Sequence, residues 1–91
     1  MTKKANTLLN KFTENINTNL SIYKNKSLEL FTSDFTKNQI EKEYEKFLNT
    51  VSGMYYYDLL SEKDHSELYE AACEAYIVAC KEYDKIKYDN K

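Results

Sequence analysis

An all-α fold is what this sequence predicts: a small, mostly antiparallel bundle of three main helices, or four where the middle connection also winds up. Three observations predict it. Three segments repeat apolar residues at spacings of three and four, the period of a helix face. No pair of segments alternates in the two-residue period of paired strands. Nine Tyr and four Phe in 91 residues, with one Gly and no Pro, supply a core and leave the helices uninterrupted. The length fits a single helical domain over 1–91, which buries roughly 60–65% of the surface its unfolded chain exposes.

The first helix is expected from about Lys3 to Lys24. Ala5, Leu9, Phe12, Ile16, Leu20 and Tyr23 form one stripe along it. Its intrinsic propensity is poor, because Thr7, Asn10, Thr13, Asn15, Asn17, Thr18 and Asn19 are weak helix formers. Packing must hold it. Asn25 to Phe35 breaks the period and reads as a connection that tucks Leu28, Phe31 and Leu30 toward the core.

The second helix is expected to start at a capping box, Thr36 with Gln39, flanked by Phe35 and Ile40 as a hydrophobic staple. Ile40, Tyr44, Phe47, Leu48, Val51, Met54 and Tyr55 follow as its apolar face. Gly53 costs about 1 kcal/mol relative to Ala and suggests a bend or a close crossing. A straight continuation would carry Asp58 into the apolar stripe, and an unpaired buried carboxylate is costly. The helix is therefore expected to end or bend between Gly53 and Leu60.

Two starts fit the third helix: Ser61-Glu62-Lys63-Asp64, or Asp64-His65-Ser66-Glu67 one turn later. Leu68, Ala72, Tyr76, Ala79, Tyr83 and Ile86 make its core stripe. Glu67, Glu70 and Glu74 lie outward early and Lys81 and Lys85 late, a polarity that complements the helix dipole.

Little in the chain suggests catalysis. His65, the single His, is expected as an exposed cap residue, about 12 Å along the axis from Cys73. One glycine rules out a Gly-rich phosphate loop. One His and two distant Cys do not make a four-ligand metal set, and the helical glutamates face outward. The expectation is no enzyme, no cofactor and no metal. Cys73 and Cys80 stand about 10 Å apart along one helix, beyond the reach of a disulfide. Reduced thiols in a cytoplasmic protein are the plain reading. The longest unbroken apolar run, Ala75 to Cys80, is far too short for a membrane span, and Met1 to Phe12 is not expected to act as a secretory signal because it holds no sufficient apolar run.

Net charge is −2, and all thirteen cations are Lys. With no basic excess and no Arg, direct DNA readout is not expected. Attention turns to surfaces that a three-helix core does not use. In Tyr55-Tyr56-Tyr57 the side chains spread over too wide an arc to share one core, and Tyr56 points away from it. Tyr69, Cys73 and Ile77, continued by Cys80, form a second apolar strip beside the core stripe of the third helix. Such a strip belongs either to a central core helix or to an interface, with another copy or with a partner protein. Tyr56, Tyr69, Cys73 and Ile77 are the candidate partner-binding residues, since aromatic anchors dominate interfaces.

Small size, Lys in place of Arg, and abundant Asn and Tyr suggest AT-rich coding. Together with the missing catalytic constellation, they resemble accessory proteins of phages and mobile elements. That resemblance implies a cytoplasmic, non-enzymatic inhibitor of a host defence system, similar to an anti-CRISPR, acting on a host effector. Two other readings stand beside it. Bacteriocin-immunity bundles are similar in architecture, although they often carry a basic balance that is missing here. An oligomeric nucleotide binder would use tyrosines to stack on bases and lysines to meet phosphates.

Overall fold

Three helices pack against one another in the computed structural model, which describes residues 1–25 and 33–89: α1 (Lys3–Asn25), α2 (Ser33–Tyr56) and α3 (Glu62–Asp89). The described residues contain no strand. Most of the connection expected over 25–35, with Leu28, Leu30 and Phe31, lies outside the described residues.

The helices run up, down and up. Along α2 and α3 the partners change in opposite directions, from Tyr55 beside His65 to Tyr44 beside Tyr76, as antiparallel neighbours must. α1 and α3 run the same way, meeting at Thr2 and Asp64 near their starts and at Tyr23 and Tyr83 near their ends. The result is a rod of 46 × 19 × 18 Å.

Most of each stripe read from the sequence forms the core, whereas Tyr55, expected on the apolar face of α2, is 39% exposed because it lies at the turn where the helix ends. Ala5, Phe12, Ile16 and Leu20 of α1 are buried against Ile40, Phe47 and Val51 of α2 and against Leu68, Ala72, Ala79, Tyr83 and Ile86 of α3. Phe12 stacks on Phe47 with ring centres 4.6 Å apart, which joins α1 to α2 at mid-rod. Three threonines among the weak helix formers of α1 turn their hydroxyls onto their own backbone. Thr7, Thr13 and Thr18 each donate to the carbonyl four residues back, all at 2.9 Å. This accommodates threonine in a helix that tertiary packing holds.

The start of α2 is not the expected capping box. The helix begins at Ser33, so Thr36 is already helical and fully buried (0% exposed). Four and eleven residues separate Thr36 from Ile40 and Phe47, which puts it on the same inward stripe. Burying another helical turn on that stripe outweighs a cap at Thr36. Its hydroxyl finds no hydrogen-bond partner among the described residues. With Thr36 inside the helix, Phe35 and Ile40 no longer flank a cap as a staple, and Phe35 is 41% exposed. Gly53 marks no close crossing either, because a Cβ there would meet nothing within 4 Å.

Where α2 ends agrees with the argument from Asp58. The helix stops at Tyr56, and Asp58 takes the left-handed conformation (φ 60°). Leu59 N–H donates to Met54 C=O at 2.8 Å, and Asp58 N–H donates to Tyr55 C=O at 3.0 Å. This paired pattern is a Schellman C-cap with Asp, in place of the usual Gly, at the left-handed position. The chain then returns through buried Leu60 to the earlier of the two possible starts of α3, where Ser61 Oγ accepts from Asp64 N–H at 3.1 Å.

Candidate interaction surface

The turn between α2 and α3 holds the densest set of exposed apolar side chains. The C-cap reverses the chain within the five residues between α2 and α3, and Tyr56, Tyr57 and Leu59 stand out from the helix–helix seams. They are 80%, 73% and 54% exposed, and Tyr55 beside them is 39% exposed. Tyr56 and Tyr57 rest edge to face on each other, with ring centres 5.1 Å apart. Asp58 follows them in the turn and is exposed.

Beneath this cluster the backbone is held firmly. Thr2 Oγ1 accepts from Ala5 N–H at 3.2 Å as the N-cap of α1, and it donates to Asp64 Oδ2 at 2.7 Å. Thr2 N–H reaches Asp64 Oδ1 at 3.4 Å. Asp64 is buried with both oxygens partnered, which stabilises a carboxylate that would otherwise be costly to enclose. The Met1 ammonium adds an ion pair with Glu67 at 3.3 Å. Two helix N-termini are thereby tied together at one end of the rod.

His65 differs from the expectation of an exposed cap residue. It stands in the first turn of α3, half-buried, with its ring between Tyr55 and Tyr69 at centre distances of 4.4 and 4.5 Å. The physical reason is that the earlier helix start turns position 65 onto the α2 seam. There it packs.

The four candidate partner-binding residues fall into different environments. Tyr56 belongs to the turn cluster. Tyr69 is half-buried in the α2–α3 seam, where its hydroxyl hydrogen-bonds Ser52 Oγ and donates to Leu48 C=O at 3.3 Å. It fastens α2 to α3. Cys73 and Ile77 lie further along α3, exposed, with Ile77 at 47%. The structure therefore does not gather the four into one patch. Tyr57 and Leu59 complete the turn cluster. The tyrosine triplet marks Tyr56 alone as pointing away from the core, whereas Tyr57 and Leu59 become recognisable only from the turn geometry.

The rest of the α2–α3 seam is aromatic and sulfur-lined. Tyr44 stacks on Tyr76 with ring centres 4.4 Å apart, 11° from coplanar. Burial first, and then the neighbouring Cys73 thiol, raise the Tyr44 pKa above its ordinary value. Tyr76 is pushed up to about 12, chiefly by burial and then by its hydrogen bond with Cys80, with smaller contributions from Glu41 and Tyr44. Both cysteines are free. Among the described residues no group of three His, Cys, Asp or Glu could hold a metal ion, and no helix is long and apolar enough to cross a membrane.

In comparisons with known proteins, no family model, curated protein or solved structure matches this chain.

Proposed function

We propose that this chain is a non-enzymatic protein that acts by docking another protein onto the turn end of its bundle. One observation carries the reading: Tyr56, Tyr57 and Leu59 are exposed together on a doubly capped, hydrogen-bonded support. Tyrosine gives a large contact area at low entropic cost, and a fixed backbone lowers the cost of ordering it on binding. The single His is engaged in ring stacking, which favours binding over hydrolysis as the role of this region. The narrower proposal is an inhibitor of a host defence system carried by a phage or mobile element and acting in the host cytoplasm. It draws on the chain's size and AT-rich composition.

The test is expression in a bacterium whose nuclease-based immunity blocks a phage. Wild-type chain should restore plaque formation, and Tyr56→Ala/Tyr57→Ala should lose that effect while keeping the wild-type melting temperature. Lost co-purification of the effector should accompany it. If the double variant protects the phage as well as wild type does, the turn end is not the docking surface. Failure of the wild type across a panel of such systems removes the narrower proposal.

A further inference from the structure

We propose that two copies of this chain pair through the outer face of α3, antiparallel, about a two-fold axis beside Ile77 and Val78. This surface is separate from the aromatic turn. Ile77 and Val78 lie near the middle of α3, 47% and 65% exposed, on either flank of the face turned away from the core. Water gains nothing from two adjacent β-branched side chains there, and burial would remove both from it.

The charges around them carry the argument. Glu70 and Glu74 precede the apolar pair on this face, and Lys81 and Lys85 follow it, all four exposed. None of the four takes part in an ion pair among the described residues. Within one helix Glu70 with Glu74 and Lys81 with Lys85 are like charges four residues apart, an unfavourable spacing that only the two lysines offset, with Asp84 and Glu82 three residues away. Their polarity suits the helix dipole, but that influence is concentrated in the first and last turns, where α3 places Glu62, Asp64 and Lys87, so it adds little at these four positions.

A second copy running the other way resolves each of these points. With the axis between positions 77 and 78, Glu74 lies opposite Lys81 of the second copy, and Glu70 lies opposite Lys85. Symmetry repeats both pairs on the other side. Ile77 and Val78 meet their own counterparts at the centre, and the two helix dipoles oppose. A parallel pairing would set Glu against Glu and Lys against Lys. The partner of matching chemistry is the chain itself.

The experiment is sedimentation equilibrium of the purified full-length chain at low ionic strength, with circular dichroism melts of every variant. Wild type should form dimers that weaken as salt is added. Glu74→Lys and Lys81→Glu should each weaken dimerisation by roughly tenfold, since each reversal acts twice across the axis. The combined variant, Glu74→Lys with Lys81→Glu, should return to within about threefold of wild type, because the two charges exchange places in an unchanged geometry. Ile77→Ser should weaken the dimer while leaving the melting temperature unchanged at protein concentrations low enough that wild type is monomeric. A wild type that stays monomeric up to about 1 mM overturns the proposal. So does a dimer indifferent to the single reversals, or a combined variant no better than either single one. None of these measurements involves a foreign partner, so their failure is distinct from failure of the turn-end docking reading.

Discussion

The two ends of this rod treat buried polar groups in opposite ways. At the turn end, Asp64 is 3% exposed, and both of its oxygens accept from Thr2 while its N–H is capped by Ser61. At the other end, Thr36 is completely buried, and its hydroxyl has no partner among the described residues. The difference teaches where local signals control the chain. Short polar side chains at the turn end meet two helix starts whose free N–H groups need acceptors. Thr36 lies one turn inside its helix, where backbone N–H groups already have partners, so only its methyl group contributes.

That contrast can be broken most forcefully at Asp64. Asp64→Ala should cost about 2–3 kcal/mol, as expected for losing hydrogen bonds to a charged group, and lower the melting temperature by roughly 10 °C or more. Urea denaturation would measure it. An unchanged midpoint would mean that the turn end owes its order to packing alone.

Thr36→Val should act in the other direction. Replacing the unpartnered hydroxyl by a methyl group should raise stability by about 1 kcal/mol, whereas Thr36→Ser, which keeps the hydroxyl and loses the methyl, should lower it by about 1 kcal/mol. A loss in the Val variant would show that the hydroxyl is satisfied in solution.

Gly53→Ala asks whether the segment leading into the turn needs a glycine. Its φ is not positive, and a Cβ would contact nothing within 4 Å, so the substitution should add about 0.5–1 kcal/mol. Thermal denaturation should show a correspondingly higher midpoint.

The smallest effect at neutral pH concerns the α2–α3 seam away from the turn. Tyr76 has its folded pKa raised to about 12 from an ordinary value of 10.0. The folded state therefore holds this proton longer than the unfolded chain. The resulting stability is fully present below about pH 10 and is lost as pH rises through about 12. Absorbance at 295 nm should show a late-ionising tyrosine in the folded protein that Tyr76→Phe removes.

Burial in this chain was legible wherever the helical period was clean. Phe12, Ile16, Leu20, Leu68, Ala72 and Ala79 were assigned from spacing alone and all are buried. Thr36 was misread because a Thr three residues before a Gln has the same pattern at a cap as on a core stripe. Which of these applies depends on whether the preceding turn finds something to pack against. His65 differs for a related reason: a start capped by Ser61 puts it inside the first turn of α3, against α2, whereas a start capped by Asp64 would leave it at the exposed helix end. Tyr69 was grouped with Cys73 and Ile77 by its position on the helix. Its hydroxyl's hydrogen-bond partners, Ser52 and Leu48, belong to another helix and could not be read from α3.

By itself the sequence determined that this is an all-helical chain, which faces of its helices turn inward, and that α2 must stop near Asp58. Each of these follows from interactions within one helix: period, propensity and the cost of enclosing a lone carboxylate. The tertiary structure alone decided that Asp64 of α3 would tie down Thr2 at the start of α1, and that Tyr69 would fasten α2 to α3. It also decided that Tyr56 and Tyr57 would stand out from the end of the rod while Tyr44 and Tyr76 stack within the seam. Those outcomes depend on which helix lies beside which and in what register, and that choice is made by the packing of the whole core rather than by any segment of it.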